Sequence, residues 1–158
     1  MTEPDLVRAR LLAAIRADRT HLSTLEQRVA KARSAETWGP GAAELYVAAL
    51  SLEHYYTAAE SIFERIARTF EGLPQGRRRW HRELLDQMVL DFPSIRGPVL
   101  SATTARGLGE LLSFRHFLRH GYAAELDHGK LHRLAADLPA LHERLGVDLD
   151  ALEHALGA

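Results

Sequence analysis

Cysteine is absent from the sequence, which excludes disulfide bonds and thiolate metal sites and fits a reducing compartment. No apolar run approaches the roughly 20 residues that a membrane-spanning helix requires. Residues 1–10 contain acidic side chains and no apolar segment, so we expect no signal peptide there. These absences predict a cytoplasmic protein with no membrane contact.

Isoleucine and valine are also scarce, with a total of 10, whereas leucine occurs 26 times and alanine 24 times among 158 residues. Leucine and alanine are good helix formers, and the β-branched residues that sheets favour are the ones in short supply. The length suits one domain. We therefore expect residues 1–158 to form a single all-α domain.

The net charge of −1 is unevenly distributed along the chain. Residues 76–122 contain eight arginines and four acidic residues, so this third carries +4 and the remainder carries −5. A basic region on a nearly neutral chain permits a polyanionic ligand such as RNA. Arginines that only solvate helix faces would produce the same charge pattern, so charge alone does not decide between these interpretations.

The spacing of apolar residues predicts an antiparallel helical bundle of five or six helices. We expect the first helix to run from Asp5 to about Ala35 and to end before the helix-breaking residues 38–41. The second helix, about 42–70, carries an uninterrupted heptad stripe, which suits packing against an antiparallel neighbour. The stripe consists of Leu45, Ala49, Leu52, Tyr56, Ala59, Phe63, Ile66 and Phe70.

Further helical regions are expected after residue 76. A short helix spans about 78–90, and a connector that contains two prolines follows over 91–102. Thr103 or Thr104 is expected to cap the fourth helix, which ends between residues 119 and 122. The last region begins near Asp127, and within it Pro139 can introduce a kink and Gly146 can separate a terminal helix.

The fourth helix carries an arginine on its apolar face. Arg115 follows Leu108 by seven residues, nearly two helical turns, so it lies on the face expected to be buried. A buried arginine is costly unless it is paired or serves a ligand. Arg115 is therefore either bonded to a carboxylate such as Glu60, which flanks the stripe of the second helix, or part of a functional site.

Two histidines, His116 and His120, lie one turn apart on the same helix. Arg115 and His120 are about 140° apart around a straight helix, so they converge only if the helix ends or bends between them. Gly121 favours such a break, because glycine tolerates the conformation at helix C-termini. Histidine exchanges protons near neutral pH, and arginine binds phosphate, so these residue types suit phosphodiester chemistry.

Residues 115–122 (RHFLRHGY) resemble the Arg-x4-His motif of HEPN domains, in the Arg-x4-His-x-Tyr form of HepT toxins. Arg115, His120 and Tyr122 fall at the three defining positions, and His116 supplies the polar residue that tends to follow the arginine in that family. Residues 56–63 and 80–85 are similar to segments of HepT-like proteins as well. The resemblance extends over about residues 40–135 by helix order.

The resemblance implies metal-independent RNA cleavage by a homodimer whose two motifs line one cleft, with no cofactor. In that scheme Arg115 holds the scissile phosphate and stabilises its charge, and His120 acts as general base or acid. His116 positions the phosphate, and Arg119 adds a backbone contact. A partner nucleotidyltransferase antitoxin of the minimal type attaches AMP to Tyr122, which brings negative charge and bulk into the phosphate-binding cleft.

Two other functions stay open from the sequence. HEPN-like bundles also serve as non-catalytic binding partners of nucleotidyltransferases, without cleaving RNA. A metal-binding helical bundle is the third interpretation, because His128 and His132 have the i, i+4 spacing that can bind a metal ion. We favour the ribonuclease and expect no metal site.

Overall fold

The computed structural model describes residues 1–34, 42–76, 78–120 and 127–157. These residues form five helices and no β-strand, which confirms the predicted all-α bundle. The predicted break at residues 38–41, Arg77, Gly121 and Tyr122 lie outside the described residues. The helices are α1 (Glu3–Arg33), α2 (Ala43–Thr69), α3 (Trp80–Gln87), α4 (Ala102–Arg119) and α5 (His128–Gly157).

The helices α1 and α2 pack against each other along their length. A capping box starts α1: the Thr2 hydroxyl accepts from the Asp5 N–H at 3.3 Å, and the Asp5 carboxylate accepts from the Thr2 N–H at 2.8 Å. The heptad stripe of α2 is buried as predicted, except that Phe70, at the end of the helix, is partly buried. The apolar residues that recur at helical spacing along α1 are also buried: Leu11, Ile15, Leu22, Leu25 and Val29.

A buried ion pair fixes the connector between α3 and α4. The side chain of Arg96 is 4% exposed and bonds Glu71, whose side chain is 3% exposed. Arg96 also donates to the carbonyl oxygens of Gln87 at 3.1 Å and Leu90 at 3.2 Å. This pair attaches the connector to the end of α2, and the connector itself is non-helical as its two prolines predict.

Two sequence-based expectations were wrong in detail. The cap of α4 is Ser101, whose hydroxyl accepts from the Thr104 N–H at 3.2 Å, and Thr104 itself lies inside the first turn. In addition, α5 is continuous through Pro139 and Gly146, so no terminal helix separates from it. Inside a helix, proline costs about 3 kcal/mol and glycine about 1 kcal/mol relative to alanine. In α5, the burial of a long leucine stripe outweighs this cost. The stripe consists of Leu131, Leu134, Leu138, Leu141, Leu145 and Leu149.

Candidate functional site

The side chain of Arg115 points from α4 into the bundle, toward α2. It is 3% exposed, and its Nη1 and Nη2 each lie 3.4 Å from one carboxylate oxygen of Glu60, which is 5% exposed. Nη1 also donates to the Thr57 hydroxyl at 3.2 Å. Of the two interpretations that the sequence left open for Arg115, pairing with Glu60 is the arrangement that the structure contains.

An aromatic ring supports this buried pair from one side. The guanidinium of Arg115 lies over the ring of Tyr56, 4.8 Å from its centre, which is a cation–π distance. Burial raises the pKa of the Tyr56 phenol well above its ordinary value, so this phenol stays protonated. Its hydroxyl has no hydrogen-bond partner within the described part of the chain. Arg115 is thus held by charge, hydrogen bonds and ring contact together.

The two histidines of the motif lie at the exposed end of α4. The ring centres of His116 and His120 are 4.0 Å apart, and both residues are exposed. His120 is the C-cap residue of α4, and its Nδ1 lies 2.8 Å from the carbonyl oxygen of His116. A carbonyl oxygen only accepts, so Nδ1 carries the hydrogen, and in the neutral ring Nε2 carries the free lone pair. This is the tautomer that a general base requires at Nε2.

The helix continues between Arg115 and His120 up to Arg119, so the motif does not converge as a single cluster. Arg115 faces Glu60, whereas the His120 ring packs on His116, and no hydrogen bond joins Arg115 to His120 among the described residues. Within one chain, Arg115 and His120 therefore stay on different sides of α4, as expected for a straight helix.

Acidic residues from outside the basic segment neutralise several of its arginines. Arg119 Nε donates to Glu53 at 2.8 Å, with a side chain that is 54% exposed. Arg96 and Arg115 pair with Glu71 and Glu60. Because all three acids precede residue 76, the charge of +4 counted along the sequence overstates the positive charge of the folded surface.

The structure adds a histidine to which the sequence assigned no role. His81 stands in the first turn of α3, and its Nδ1 lies 2.9 Å from both carboxylate oxygens of Glu60 and 2.9 Å from Nη2 of Arg115. The Trp80 ring packs against the imidazole at 3.9 Å. The only sequence signal was that residues 80–85 resemble HepT-like proteins, since nothing local relates His81 to Glu60, 21 positions earlier.

The site therefore has a buried and an exposed part. The buried part is the polar cluster of Glu60, His81 and Arg115, in which only His81 is substantially open, with 37% of its side chain exposed. The exposed part is the histidine pair of His116 and His120 at the end of α4. Imidazoles that can exchange protons and a fixed guanidinium are the groups that metal-independent phosphodiester cleavage uses.

The described residues contain neither a metal-binding cluster nor a membrane-spanning helix. No cluster of three or more histidine or acidic side chains that could hold a metal ion occurs within residues 1–34, 42–76, 78–120 and 127–157. Over the same ranges, no helix combines the length and the apolar character needed to span a membrane.

A helical bundle whose fourth helix ends in Arg-x4-His fits the resemblance to HEPN domains. Residues 47–156 match the model of a family described as HepT-like protein. Because the match covers more than half of the chain, the protein belongs to the HepT-like family. No curated protein and no solved structure matches the chain.

Proposed function

We propose that the protein is a toxin-type endoribonuclease that cleaves RNA without a metal ion and acts as a homodimer. The observation that carries the proposal is the exposed histidine pair at the end of α4. The hydrogen bond from His120 Nδ1 to the His116 carbonyl leaves Nε2 free to accept the proton of a ribose 2′-hydroxyl. Family membership supports the same activity.

The proposed roles follow from exposure and contacts. His120 is the general base, and His116, one turn earlier and also exposed, positions the phosphate. Arg119 contacts the RNA backbone. To do so, its guanidinium must leave the Glu53 carboxylate and bind a phosphate oxygen instead. This exchange is feasible because the Arg119 side chain is 54% exposed. Arg115 contributes to catalysis from the buried cluster that it forms with Glu60 and His81.

An exposed apolar patch on α2 supports the homodimer. Tyr46, Val47 and Leu50 are 47%, 47% and 55% exposed. Their helical spacing continues to Glu53, whose carboxylate touches Arg119 of the motif. A second copy that covers this patch would place two motif helices side by side in an isologous contact.

The proposal includes a protein partner. A minimal nucleotidyltransferase antitoxin is expected to transfer AMP to Tyr122, two residues beyond His120. The added phosphate carries negative charge, so it would repel the RNA backbone at the motif and silence cleavage.

The test is cleavage of RNA by the purified protein beside His120→Ala, together with growth of cells in which each is expressed. We expect the wild type to cleave RNA and arrest growth, and His120→Ala to lose roughly 10²–10⁴-fold in cleavage rate. His154→Ala, which removes an exposed histidine far along α5, is the matched control and should behave like the wild type. Equal rates for His120→Ala and the wild type would refute the catalytic assignment.

One observation, the ion pair between Arg115 and Glu60, favours a second function, that of a non-catalytic binding module. An arginine that is 3% exposed and already paired is unavailable to a phosphate unless it moves. A non-catalytic module that binds a nucleotidyltransferase would need Arg115 only for packing. Binding of the nucleotidyltransferase by a protein with no measurable RNA cleavage would establish this alternative.

A further inference from the structure

The buried polar cluster contains a partly exposed imidazole, that of His81, which is held by a buried carboxylate. Nδ1 of His81 lies 2.9 Å from both oxygens of Glu60, whose side chain is 6% exposed, whereas 37% of the His81 side chain is exposed. Packing of the Trp80 ring at 3.9 Å restrains the same imidazole. A carboxylate at Nδ1 orients a histidine so that Nε2 is presented for proton transfer.

The contacts of Nδ1 identify which groups donate. A single ring nitrogen cannot donate to Glu60 and accept from Arg115 at the same time. If Nδ1–H donates to Glu60, two acceptor oxygens are satisfied at 2.9 Å, and Arg115 still has Glu60 and Thr57 as acceptors. In the opposite tautomer the Nδ1 lone pair would face a buried carboxylate. The arrangement in which the Nδ1–H of His81 donates to Glu60 therefore gives hydrogen-bond partners to more of the donors and acceptors in the cluster.

We propose that His81 is a second catalytic histidine of this protein. Protonated on both ring nitrogens, with Nδ1–H on Glu60, it donates its Nε2 proton to the leaving 5′ oxygen of the RNA and becomes neutral. This inference rests on the proposed ribonuclease function. In the reaction, His120 Nε2 takes the proton of the 2′-hydroxyl, and the 2′ oxygen forms its bond to phosphorus. The bond from phosphorus to the 5′ oxygen breaks, and the proton from His81 neutralises that oxygen. The products are a 2′,3′-cyclic phosphate and a 5′-hydroxyl.

The inference assigns Glu60 and Arg115 as positioning residues. Glu60 holds Nδ1 of His81, and Arg115 holds Glu60 through both of its terminal nitrogens. Their burial, at 5% and 3% exposed, suits this indirect role better than contact with RNA.

The experiment measures cleavage of two substrates by the full chain. The first is an RNA that the wild type cleaves at a mapped position, and the second carries sulfur in place of the bridging 5′ oxygen at that position. A thiolate leaves without protonation, so the second substrate needs no general acid. The variants are His81→Asn, which keeps an N–H that can reach Glu60, and Glu60→Gln, with His120→Ala and His154→Asn as comparisons.

On the ordinary RNA we expect His81→Asn to be slower than the wild type by roughly 10²–10⁴-fold. On the sulfur substrate its rate should return close to that of the wild type. Glu60→Gln should show the same recovery, which a residue with a merely structural role would not show. His120→Ala should be slow on both substrates, because it lacks the base, and His154→Asn should match the wild type on both.

The outcomes separate this inference from the proposed function. If the wild type cleaves RNA, His120→Ala does not, and His81→Asn cleaves at the wild-type rate, the assignment of His81 is wrong and the ribonuclease stands. A folded His81→Asn that is slow on both substrates also overturns the assignment. If the wild type cleaves neither substrate, both proposals fail. Circular dichroism checks each fold, and His81→Gln replaces His81→Asn if the latter does not fold.

Discussion

Replacement of Arg115 by alanine tests whether the guanidinium is buried against Glu60 in solution. The change leaves the carboxylate of Glu60, 5% exposed, without its cationic partner. Removal of one member of a buried ion pair typically costs about 3–5 kcal/mol. Here the cost should fall near about 3 kcal/mol, because His81 Nδ1 still donates to Glu60 and both contacts from Arg115 are long, at 3.4 Å.

That cost is a large share of the total stability of about 5–15 kcal/mol that is usual for a domain. At about 2–4 °C per kcal/mol, the melting temperature should fall by roughly 6–12 °C. Urea denaturation and thermal unfolding followed by circular dichroism measure both quantities. The matched control is Arg119→Ala on the same helix. Its side chain is 54% exposed although Glu53 is buried, so water can solvate the remaining carboxylate more easily, and the loss should be smaller, about 1 kcal/mol.

A double variant separates the ion pair from the rest of the site. Arg115→Met combined with Glu60→Leu removes both charges and fills their volume, so most of the lost stability should return. If Arg115→Ala instead stays within about 0.5 kcal/mol of the wild type, the side chain behaves as a surface residue. That result would refute the buried pairing and would return Arg115 to direct contact with the scissile phosphate.

Four other predictions concern activity, regulation, pH and assembly. Chelation of divalent ions by EDTA should leave RNA cleavage unchanged, with products that end in 2′,3′-cyclic phosphate; activity that returns only with an added divalent ion would refute the metal-independent mechanism. Tyr122→Phe should stay toxic but escape the mass increase and silencing caused by the nucleotidyltransferase, and silencing equal to that of the wild type would exclude Tyr122 as its target. Burial lowers the pKa of His142, which bonds Tyr55 at 2.8 Å, so protonation favours the unfolded chain. The free energy of unfolding should thus be highest above pH of about 6.5, the ordinary pKa of histidine. It should fall as the pH drops below that value toward the lowered pKa of His142, and His142→Gln should weaken this dependence. Light scattering at micromolar concentration should show a dimer, and Leu50→Glu, within the exposed patch of α2, should shift it toward monomer.

Local patterns predicted most of the secondary structure. The stripes of α1 and α2 were recognised because helical periodicity repeats every few residues and needs no information about distant partners. The beginning of α5 near Asp127 also depends on local contacts only, because the Asp127 carboxylate caps the helix by accepting from the Lys130 N–H at 3.1 Å. The motif of residues 115–120 was recognised from its spacing, although the roles of its side chains stay predictions.

Local patterns failed where a distant partner outweighed them. Gly146 favours a separate terminal helix and Pro139 favours a kink, yet burial of the leucine stripe keeps α5 continuous through both. The arginines of residues 76–122 were counted as a basic region, yet Arg96, Arg115 and Arg119 pair with carboxylates from earlier in the chain. Charge counted along a sequence does not include such pairing.

The sequence by itself determined an all-α bundle, the order of its helices and membership of a family whose motif ends the fourth helix. Only the tertiary structure decided that Arg115 faces Glu60 and that His81 joins them. The physical reason is the separation along the chain: these three residues stand on α4, α2 and α3, and Arg115 and Glu60 are 55 positions apart. A helix forms from contacts three and four residues apart, whereas this cluster forms only after three helices have packed together.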